Sequence, residues 1–469
     1  MLDFIKDKEL QSVAIIENNK IKTYQDLNED IKEIELLLKP RQVVILLCNN
    51  SYASILIYLA CLRIGSIPLL LSENISEIYL KGYIKRFLPK YIFSPNELKG
   101  LTEEYSVNMN YFIYTTNKDN YVNNNNLSLL LTTSGSTGNP KLVKVSYKNL
   151  ISNTHSICKY LDLKEKERHI TILPMNYTFG LSCINTFLYS GGSIILNQDA
   201  ITSRGFWINL EKHKPTYISG VPYTYEIISK YFLDKLKNSS VRVFTQAGGK
   251  LNNKFIEKFI AFSNENKKEF IVMYGQTEAT ARMSYLPFCK LSEKIGSIGI
   301  AIPGGKFSLR NTYKDERKPG GEIGELVYEG DNVTEGYAYN YTDLNKIENV
   351  INRLNTGDIG WIDQDNYVYL IGRINRFAKI SGIRVSLVDV EELIKNMGYN
   401  SAIYSDDIDL KIFIEIEDVI KKDIIKIKNK ISNQMNISPN SIKLINIGKL
   451  PRLDSGKIDY KELEKRNDS

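Results

Sequence analysis

The chain has 469 residues, too many for one ordinary hydrophobic core, so we expect at least two domains. Hydrophobic residues make up 43% and charged residues 25% of the chain, as is typical of soluble globular proteins. The 61 Lys and Arg residues against 54 Asp and Glu give a net charge of +7, but this excess forms no block. We therefore expect neither a nucleic acid nor a membrane surface as a partner.

Cysteine usage and the apolar segments indicate a cytoplasmic protein. The five cysteines are scattered and there are only three histidines, so we expect no disulfide framework and no structural zinc. The N-terminal residues lack the pattern of a secretory signal. The longest apolar stretch, residues 53–71, is interrupted by Arg63, Gly65 and Pro68, which predicts a buried helix and a short strand instead of a membrane span.

Short apolar runs alternate with helix-length segments along the first half of the chain. Strands are predicted at residues 43–48, 67–71, 127–132, 170–173, 193–196, 217–219 and 241–245, and helices at 51–63, 149–161 and 223–236. This alternation predicts parallel sheets of the α/β class. From about residue 296, closely spaced Gly and Pro residues indicate a small β-barrel part. After Arg373 strands and helices return, so we place one domain at 1–374 and a small α+β domain at 375–469.

Residues 132–141 form a loop rich in hydroxyl groups and glycine. It contains Thr132, Thr133, Ser134, Gly135, Ser136, Thr137, Gly138 and Lys141. Glycine permits positive φ, so successive backbone N–H groups can converge on an anion, while the hydroxyl groups and the lysine add donors and charge. The spacing is not that of a Walker A loop. The loop is therefore a candidate polyphosphate site, although its composition alone is also typical of an ordinary turn.

The exact string closely resembles the T-S-G-S-T-G-x-P-K signature of the adenylate-forming superfamily, which includes acyl-CoA synthetases, peptide-synthetase adenylation domains and luciferases. Further matches follow in the family's order and extend the resemblance over nearly the whole chain. One departure is Leu142, where the family usually has Gly. The resemblance implies a large N-terminal AMP-binding domain and a small, mobile C-terminal domain that carries a catalytic lysine.

Residues 273–278 resemble the family's Y-G-x-T-E motif. The resemblance implies that Tyr274, beside Gly275, stacks on adenine, that Thr277 contacts the α-phosphate, and that Glu278 helps to hold Mg²⁺. A carboxylate ligand for Mg²⁺ on phosphate oxygens suits phosphoryl activation. Upstream, Gly248 and Gly249 occupy the family's adenine-facing position, with Lys250 in place of the commoner Pro.

Later motifs complete the resemblance. It implies that Asp358 in T-G-D and Arg373 contact ribose, that Arg384 meets phosphate, that Asn375 is the hinge residue and that Lys457 is the catalytic lysine; Asp or Lys is the usual hinge residue. A cation such as Lys457 would offset the charge that builds as a carboxylate attacks phosphorus. The intervening Glu325 and Gly336-Tyr337 look structural. For Arg376 and Lys379 we favour solvated surface charges.

The acid-binding motif is less informative. The expected pocket walls are Tyr177, Phe179, Gly220, Val221, Ala247 and Ala279. Tyr177 stands where many acyl-CoA synthetases have His. No acidic residue lies between Ile170 and Gln198 to pair with an ammonium group, which disfavours a free α-amino acid. The mixture of aromatic and small residues suits a small or medium carboxylic acid.

The resemblance implies that ATP and Mg²⁺ activate the acid to an acyl-adenylate, with release of pyrophosphate. The overall pattern resembles bacterial acyl-CoA or acyl-carrier-protein ligases, so the acceptor is expected to be CoA or the phosphopantetheine thiol of a separate carrier protein. An amine or hydroxyl acceptor remains an alternative, as does a non-catalytic nucleotide-binding protein. The oligomeric state and the identity of the acid are left open by the sequence.

Overall fold

The computed structural model describes residues 3–5, 8–98, 105–108, 110–132, 141–314, 321–346, 352–380, 383–405, 409–415, 421–435, 437–453, 458–460 and 462–463. They fall into two compact units. The first unit comprises Met1–Phe307 and Tyr328–Leu354, and the second comprises Ser308–Val327 and Asn355–Ser469. This division by packing groups residues 355–374 with the C-terminal segment, while the domain division between residues 374 and 375 stays a prediction.

Up to residue 132, the strands are β1 (Val13–Glu17), β2 (Lys20–Thr23), β3 (Val43–Cys48), β4 (Ile67–Ser72), β5 (Tyr91–Ser94), β6 (Tyr105–Asn108), β7 (Tyr111–Thr115) and β8 (Leu127–Thr132). The helices among them are α1 (Tyr24–Glu35), α2 (Tyr52–Ile64) and α3 (Glu77–Phe87).

From residue 141 to residue 305, the strands are β9 (Leu142–Ser146), β10 (Arg168–Ile170), β11 (Ser193–Leu196), β12 (Tyr217–Gly220), β13 (Val243–Gln246), β14 (Glu269–Tyr274), β15 (Ser284–Leu286) and β16 (Ser297–Ala301). The helices are α4 (Tyr147–Tyr160), α5 (Thr178–Tyr189), α6 (Arg204–His213), α7 (Pro222–Tyr231), α8 (Leu233–Lys237), α9 (Asn253–Asn266) and α10 (Phe288–Leu291), with a 3₁₀ turn at Thr277–Ala279.

From residue 306 onwards, the strands are β17 (Lys306–Lys314), β18 (Glu322–Glu329), β19 (Tyr337–Ala338), β20 (Arg353–Ile362), β21 (Val368–Arg373), β22 (Phe377–Ile380), β23 (Ile383–Ser386), β24 (Asn400–Ser405), β25 (Leu410–Glu415) and β26 (Ile442–Asn446). The helices are α11 (Tyr341–Leu344), α12 (Leu387–Asn396) and α13 (Lys421–Met435), with 3₁₀ turns at Ile374–Arg376 and Pro439–Ser441.

Two sheets organise the first unit. One has the strand order β19-β9-β8-β4-β3-β5-β7-β6, and its centre, β8-β4-β3-β5, is parallel. The other runs β16-β15-β14-β13-β12-β10-β11-β1-β2 and is parallel from β14 to β1. Parallel strands joined through helices bury both faces of a sheet, which explains why β3 is apolar and buried throughout and why every residue of β11 is buried. The predicted α/β class is confirmed.

The apolar segment that begins at Ala53 folds as the sequence predicts. Helix α2 starts after Ser51, whose side chain accepts a hydrogen bond from the Ser54 N–H, and it ends at Gly65 with φ 85°. The helix is buried on nearly every face, and β4 follows it within the sheet. A helix apolar all round belongs in a core. In the described part of the chain no helix is long and apolar enough to cross a membrane.

The second unit contains a row of strands in the order β17-β18-β20-β21, in which β20 and β21 are antiparallel. The Gly- and Pro-rich sequence predicts a small β-barrel part in this region. Among the described residues these strands pair as an open row with β17 at its edge, so strands are present as predicted but their pairings do not close a barrel. The hairpin β22-β23 and the sheet β24-β25-β26 come next. Helices α12 and α13 share a hydrophobic cluster with these strands, which gives this segment its own α+β core.

Several predicted elements differ by one or two residues at their ends, and two differ more clearly. The helix expected at 223–236 is two helices, α7 and α8, because Phe232 leaves the helical conformation with φ −135° and packs its ring 4.8 Å from that of Trp207. The strand expected at 170–173 is β10, which ends at Ile170. There the Thr171 hydroxyl accepts a hydrogen bond from the Asn197 N–H at 2.9 Å, so a side chain replaces the backbone ladder.

Candidate functional site

The carboxyl ends of three adjacent parallel strands carry half of the predicted site residues of the first unit. Strands β12, β13 and β14 end at Gly220, Gln246 and Tyr274, and their registers run side by side. The segments that follow these ends hold the predicted acid-pocket and nucleotide residues. Ligands of open α/β sheets bind beyond the carboxyl ends of the strands, so this edge is the expected position for a nucleotide and its substrate.

Tyr177, Val221 and Gly248 meet beyond this edge. Gly248 has φ 86°, and a Cβ atom placed there would lie 2.5 Å from the Tyr177 hydroxyl and 3.2 Å from Val221 Cγ1. Glycine is therefore required at position 248 both by conformation and by space. Next to it, the Ala247 N–H donates to the Gly220 carbonyl at 3.3 Å. The structure thus brings together four predicted acid-pocket residues, Tyr177, Gly220, Val221 and Ala247, from three separate segments.

Phe179 extends this group into the core. Its ring stands edge-on to that of Tyr177, with centroids 6.4 Å apart. Burial raises the pKa of Tyr177 to about 12, so its hydroxyl stays neutral at ordinary pH. Ala279, also expected in the pocket wall, lies instead in a separate cluster with Met283, Tyr328 and Val333. Its role in the pocket stays a prediction.

Arg282 is a buried cation that the sequence did not single out. It is 2% exposed, and its guanidinium carbon lies 5.0 Å from the centroid of the Phe179 ring. The guanidinium also donates to Ser182 Oγ at 3.1 Å and to Cys183 Sγ at 3.2 Å. Arg282 therefore supports the acid-pocket ring from behind. Its partners lie about 100 residues away in the chain, so no local motif could reveal them.

The turn after β14 requires glycine at position 275. A Cβ atom there would lie 1.6 Å from the Ala281 carbonyl oxygen, far inside any tolerated contact. This close approach folds the chain back and forms the 3₁₀ turn Thr277–Ala279. The Thr277 hydroxyl then lies 3.1 Å from that of Thr178, at the start of α5. The predicted phosphate-contacting threonine is thereby joined to the acid-binding motif.

The predicted polyphosphate loop connects two antiparallel strands. Thr132 at the end of β8 is paired with Leu142 at the start of β9. Of the loop, Thr132 and Lys141 are described, while Thr133, Ser134, Gly135, Ser136, Thr137 and Gly138 lie outside the described residues. Leu142, the departure from the family pattern, is 0% exposed and belongs to a hydrophobic cluster beneath the sheet. Its side chain is thus core, which gives the departure a packing role.

Lys141, Tyr337 and Glu278 form a continuous series of contacts. Lys141 Nζ lies 3.8 Å from the centroid of the Tyr337 ring. The Tyr337 hydroxyl donates to Glu278 Oε1 at 2.7 Å. Burial and then the Glu278 carboxylate raise the pKa of Tyr337, which keeps its hydroxyl protonated. These two contacts join the end of the predicted loop to the predicted metal ligand.

Glu278 suits the magnesium ion that the family resemblance implies. Its side chain is half-buried, and Tyr337 engages one carboxylate oxygen, so the other can serve as a ligand. The described residues contain no group of three or more His, Cys, Asp and Glu side chains arranged to hold a metal. Mg²⁺ bound through one or two carboxylates and substrate phosphates needs no such group. Glu278 and a nucleotide would hold the ion together, and the ion would neutralise phosphate charge.

The second unit pairs the two predicted ribose-binding residues. Asp358 on β20 faces Arg373 at the end of β21, and Arg373 Nε donates to Asp358 Oδ1 at 2.7 Å. The Asp358 side chain is 5% exposed and that of Arg373 is 57% exposed. Just before Asp358, Gly357 takes φ 70°, and its N–H donates to Glu325 Oε1 at 3.3 Å. Glu325 is thus structural, as its motif suggests, and it supports the turn that presents Asp358.

The remaining predicted residues are described in part or not at all. Asn375 lies in the 3₁₀ turn Ile374–Arg376, and Arg384 is paired with Lys379 in the hairpin β22-β23; the side chains of these three residues are outside the description. Lys457 lies outside the described residues. The catalytic, hinge and phosphate-binding roles of Lys457, Asn375 and Arg384 remain predictions.

The interpretation of Arg376 as a solvated surface charge is wrong. Its side chain is 20% exposed and forms an ion pair with Glu391, which is 19% exposed. Arg376 also donates to the Ile403 carbonyl at 2.7 Å, and its guanidinium lies 4.4 Å from the centroid of the Tyr460 ring. These partners come from later segments of the second unit. Arg376 is therefore a structural residue of that unit.

Comparisons with known proteins identify the family of this α/β protein. Residues 5–338 match the family described as AMP-binding enzyme, and the chain belongs to that family. The resemblance to adenylate-forming enzymes is thereby confirmed.

Individual relatives have low sequence identity to this chain, 28% and 24% in the two examples that follow. An oxalate–CoA ligase of Arabidopsis thaliana is 28% identical over 273 residues, which are 57% of this chain and 52% of that protein. A 2-succinylbenzoate–CoA ligase of Bacillus pumilus is 24% identical over 398 residues, 82% of this chain and 79% of that protein. This chain therefore spans only about half the length of some of the curated relatives it matches.

Solved structures share the fold. The o-succinylbenzoate-CoA synthetase of Bacillus subtilis in complex with its acyl-adenylate superimposes with a TM-score of 0.77 at 19% identity, covering 97% of this chain and 95% of that one. The same enzyme in complex with ATP and a magnesium ion gives a TM-score of 0.75, again at 19% identity, with 97% of each chain covered. At this identity the likeness establishes the fold alone.

Proposed function

We propose that this protein activates a carboxylic acid with ATP and Mg²⁺, forms an acyl-adenylate, and transfers the acyl group to a thiol. The observation that carries this proposal is the convergence at one sheet edge. The acid-pocket residue Tyr177 contacts Gly248 of the adenine segment, and Thr178, the next residue, contacts Thr277 of the phosphate segment. An acid and a nucleotide bound by these segments would lie next to each other, as attack of one on the other requires.

The nucleotide would be held by groups of known chemistry. We assign the phosphates to the hairpin loop between Thr132 and Lys141 and to Thr277, the magnesium ion to Glu278, adenine to Tyr274 and the glycines at 248 and 249, and the ribose hydroxyls to Asp358 and Arg373. A carboxylate such as that of Asp358 can accept hydrogen bonds from both ribose hydroxyls. Lys457 supplies the cation that offsets charge during adenylate formation.

The acid is small or medium in size and lacks an ammonium group near its carboxylate. Tyr177, Phe179 and Val221 are uncharged, and the pKa of Tyr177, raised to about 12 by burial, keeps its hydroxyl neutral. A charged group behind this pocket is the buried guanidinium of Arg282, which would repel an ammonium group. A free α-amino acid is therefore the least suitable candidate.

The acceptor is a thiol of CoA or of a separate phosphopantetheine carrier protein. The relatives named as CoA ligases support CoA as the thiol. A separate carrier protein is the alternative acceptor that the sequence pattern suggests. The test is to incubate the enzyme with ATP, Mg²⁺ and an accepted acid, and then to offer CoA, a phosphopantetheinylated carrier, an amine or an alcohol. Mass spectrometry should find a thioester and AMP. Exclusive formation of an amide or ester, or release of ADP, would contradict the proposal.

A further inference from the structure

Tyr337 contacts two segments of the predicted nucleotide site, one through its ring and the other through its hydroxyl. Its short strand β19 adds to the edge of the first sheet by pairing with β9, with Tyr337 opposite Val143. Lys141 lies one residue before β9, and its Nζ lies 3.8 Å from the centroid of the Tyr337 ring. The ring of Tyr337 therefore lies beside the end of the predicted loop.

The other end of Tyr337 reaches Glu278. The backbone of Glu278 is already held, since its carbonyl accepts hydrogen bonds from both the N–H and the hydroxyl of Thr334 at 3.0 Å. With the backbone fixed, the direction of the carboxylate depends on its own partners. Among the described residues Tyr337 is the hydrogen-bond partner of that carboxylate, through Oε1 at 2.7 Å.

We infer that Tyr337 is a positioning residue, which aims the second carboxylate oxygen of Glu278 at the magnesium ion of bound ATP and links that aim to the position of Lys141. This inference rests on the proposed function and names a residue that the sequence pattern marked as structural. Hydrogen bonds to a metal-binding carboxylate orient it, and their loss typically weakens metal affinity about 10- to 100-fold.

The Lys141 contact strengthens this arrangement. A cation over the face of a tyrosine ring is attracted by the ring electrons and holds the ring in place. The same positive charge withdraws electron density from the ring and makes the hydroxyl a stronger donor to Glu278. Because Lys141 ends the predicted polyphosphate loop, the loop and the metal ligand share one connecting side chain. A structural tyrosine that only filled space would need neither the hydroxyl nor the cation.

The test separates these roles by measuring nucleotide binding without turnover. The ATP analogue with a methylene group between the α- and β-phosphates resists the expected cleavage, and its affinity can be measured by calorimetry with Mg²⁺ and with EDTA. Tyr337→Phe keeps the ring and its contact with Lys141 but removes the donor. We expect it to weaken binding about tenfold in Mg²⁺ and to leave binding in EDTA unchanged.

Two further variants make the result specific. Tyr339→Phe changes a nearby tyrosine that is 50% exposed, and it should leave both affinities unchanged. In a Glu278→Gln background, Tyr337→Phe should have no additional effect, because its partner carboxylate has already been removed. Circular dichroism would verify that each variant is folded, and the Glu278→Gln pair keeps the test decisive if Tyr337→Phe alone lowers stability.

Several outcomes would overturn the inference. One is an unchanged magnesium-dependent affinity in Tyr337→Phe. Another is an equal loss of affinity with Mg²⁺ and with EDTA, which would make Tyr337 a purely structural residue. If the wild-type analogue affinity is indifferent to magnesium, Glu278 is not a metal ligand and the inference fails. Pyrophosphate exchange by the same wild-type protein then decides whether the proposed function fails too.

Discussion

His169 is a single buried residue whose protonation links pH to stability. The imidazole is 3% exposed on β10, and its Nε2 lies 3.1 Å from the Ser219 hydroxyl. Burial, followed by the positive charge of Arg282, lowers the pKa of His169 to about 3. The folded protein therefore keeps this imidazole neutral, whereas the unfolded chain protonates it near its ordinary pKa of about 6.5.

This difference predicts a loss of stability in acid. Between about pH 6.5 and pH 3 the unfolded state binds one more proton than the folded state at this residue, so the free energy of unfolding falls as pH falls. His169 should contribute about 1.4 kcal/mol per pH unit across that window, and nothing above it. The measurement is urea unfolding at several pH values for the wild type and His169→Gln.

The variant should show a shallower loss between pH 6.5 and pH 5, while His155→Gln, at an exposed position, should follow the wild type. Parallel pH profiles for His169→Gln and the wild type would mean that His169 can be protonated in the folded state.

At the residue scale, a local motif agrees with the structure at Gly275, where the 1.6 Å approach to the Ala281 carbonyl requires glycine. The role of Gly275 in binding ATP stays a prediction. Residue-level prediction from the sequence failed where the partners are distant in the chain. The Arg282 contacts with Phe179, Ser182 and Cys183 and the bond between Tyr337 and Glu278 depend on how the strands come together. A single sequence contains no local signal for such contacts.

Among the elements, the hairpin β8-β9 has the clearest role. Its two strands frame the predicted polyphosphate loop, and β9 also supports β19 on its other side. The first residue of β9 is Leu142, where the family usually has Gly. The Leu142 side chain packs in the same cluster as Leu130, Ala338 and Leu344. In this chain the hairpin therefore depends on a core contact that the family pattern does not include.

Leu142→Gly, which restores the commoner family residue, should destabilise the protein. Removing a fully buried leucine side chain typically costs about 2–5 kcal/mol, and glycine adds backbone entropy to the unfolded state. We expect the first unfolding transition in urea to lose about 3 kcal/mol or more. Leu10→Gly, at a position 53% exposed, is the control and should change it little. A Leu142→Gly variant as stable as the control would show that the Leu142 cluster does not support the hairpin.

Elements with strong apolar periodicity were predictable in position and type. Strands β3, β8 and β11 have the predicted bounds, because each is an apolar run between polar turns. The break between α7 and α8 was not predictable, since it depends on Phe232 packing on Trp207 from α6. Periodicity describes one element at a time, and such tertiary contacts override it.

The whole molecule divides the predicted chemistry between its two compact units. The first unit holds the residues predicted for the acid pocket and adenine and most of those predicted for phosphate, and the second holds Asp358, Arg373, Arg384 and Lys457. Sequence order predicted these assignments because the motifs occur in the order that the family uses. The packing division itself was not predictable, since the second unit also takes in Ser308–Val327, which lies far from the C-terminal segment in sequence.

The central claim is that this protein makes acyl-adenylates, and ATP–pyrophosphate exchange without any thiol tests it most directly. Labelled pyrophosphate should enter ATP in the presence of Mg²⁺ and one of a panel of small and medium carboxylic acids. Exchange should fall at least 100-fold in Lys457→Ala, while Lys379→Ala should have little effect. If no acid in the panel supports exchange, or if exchange survives in Lys457→Ala, the account is contradicted.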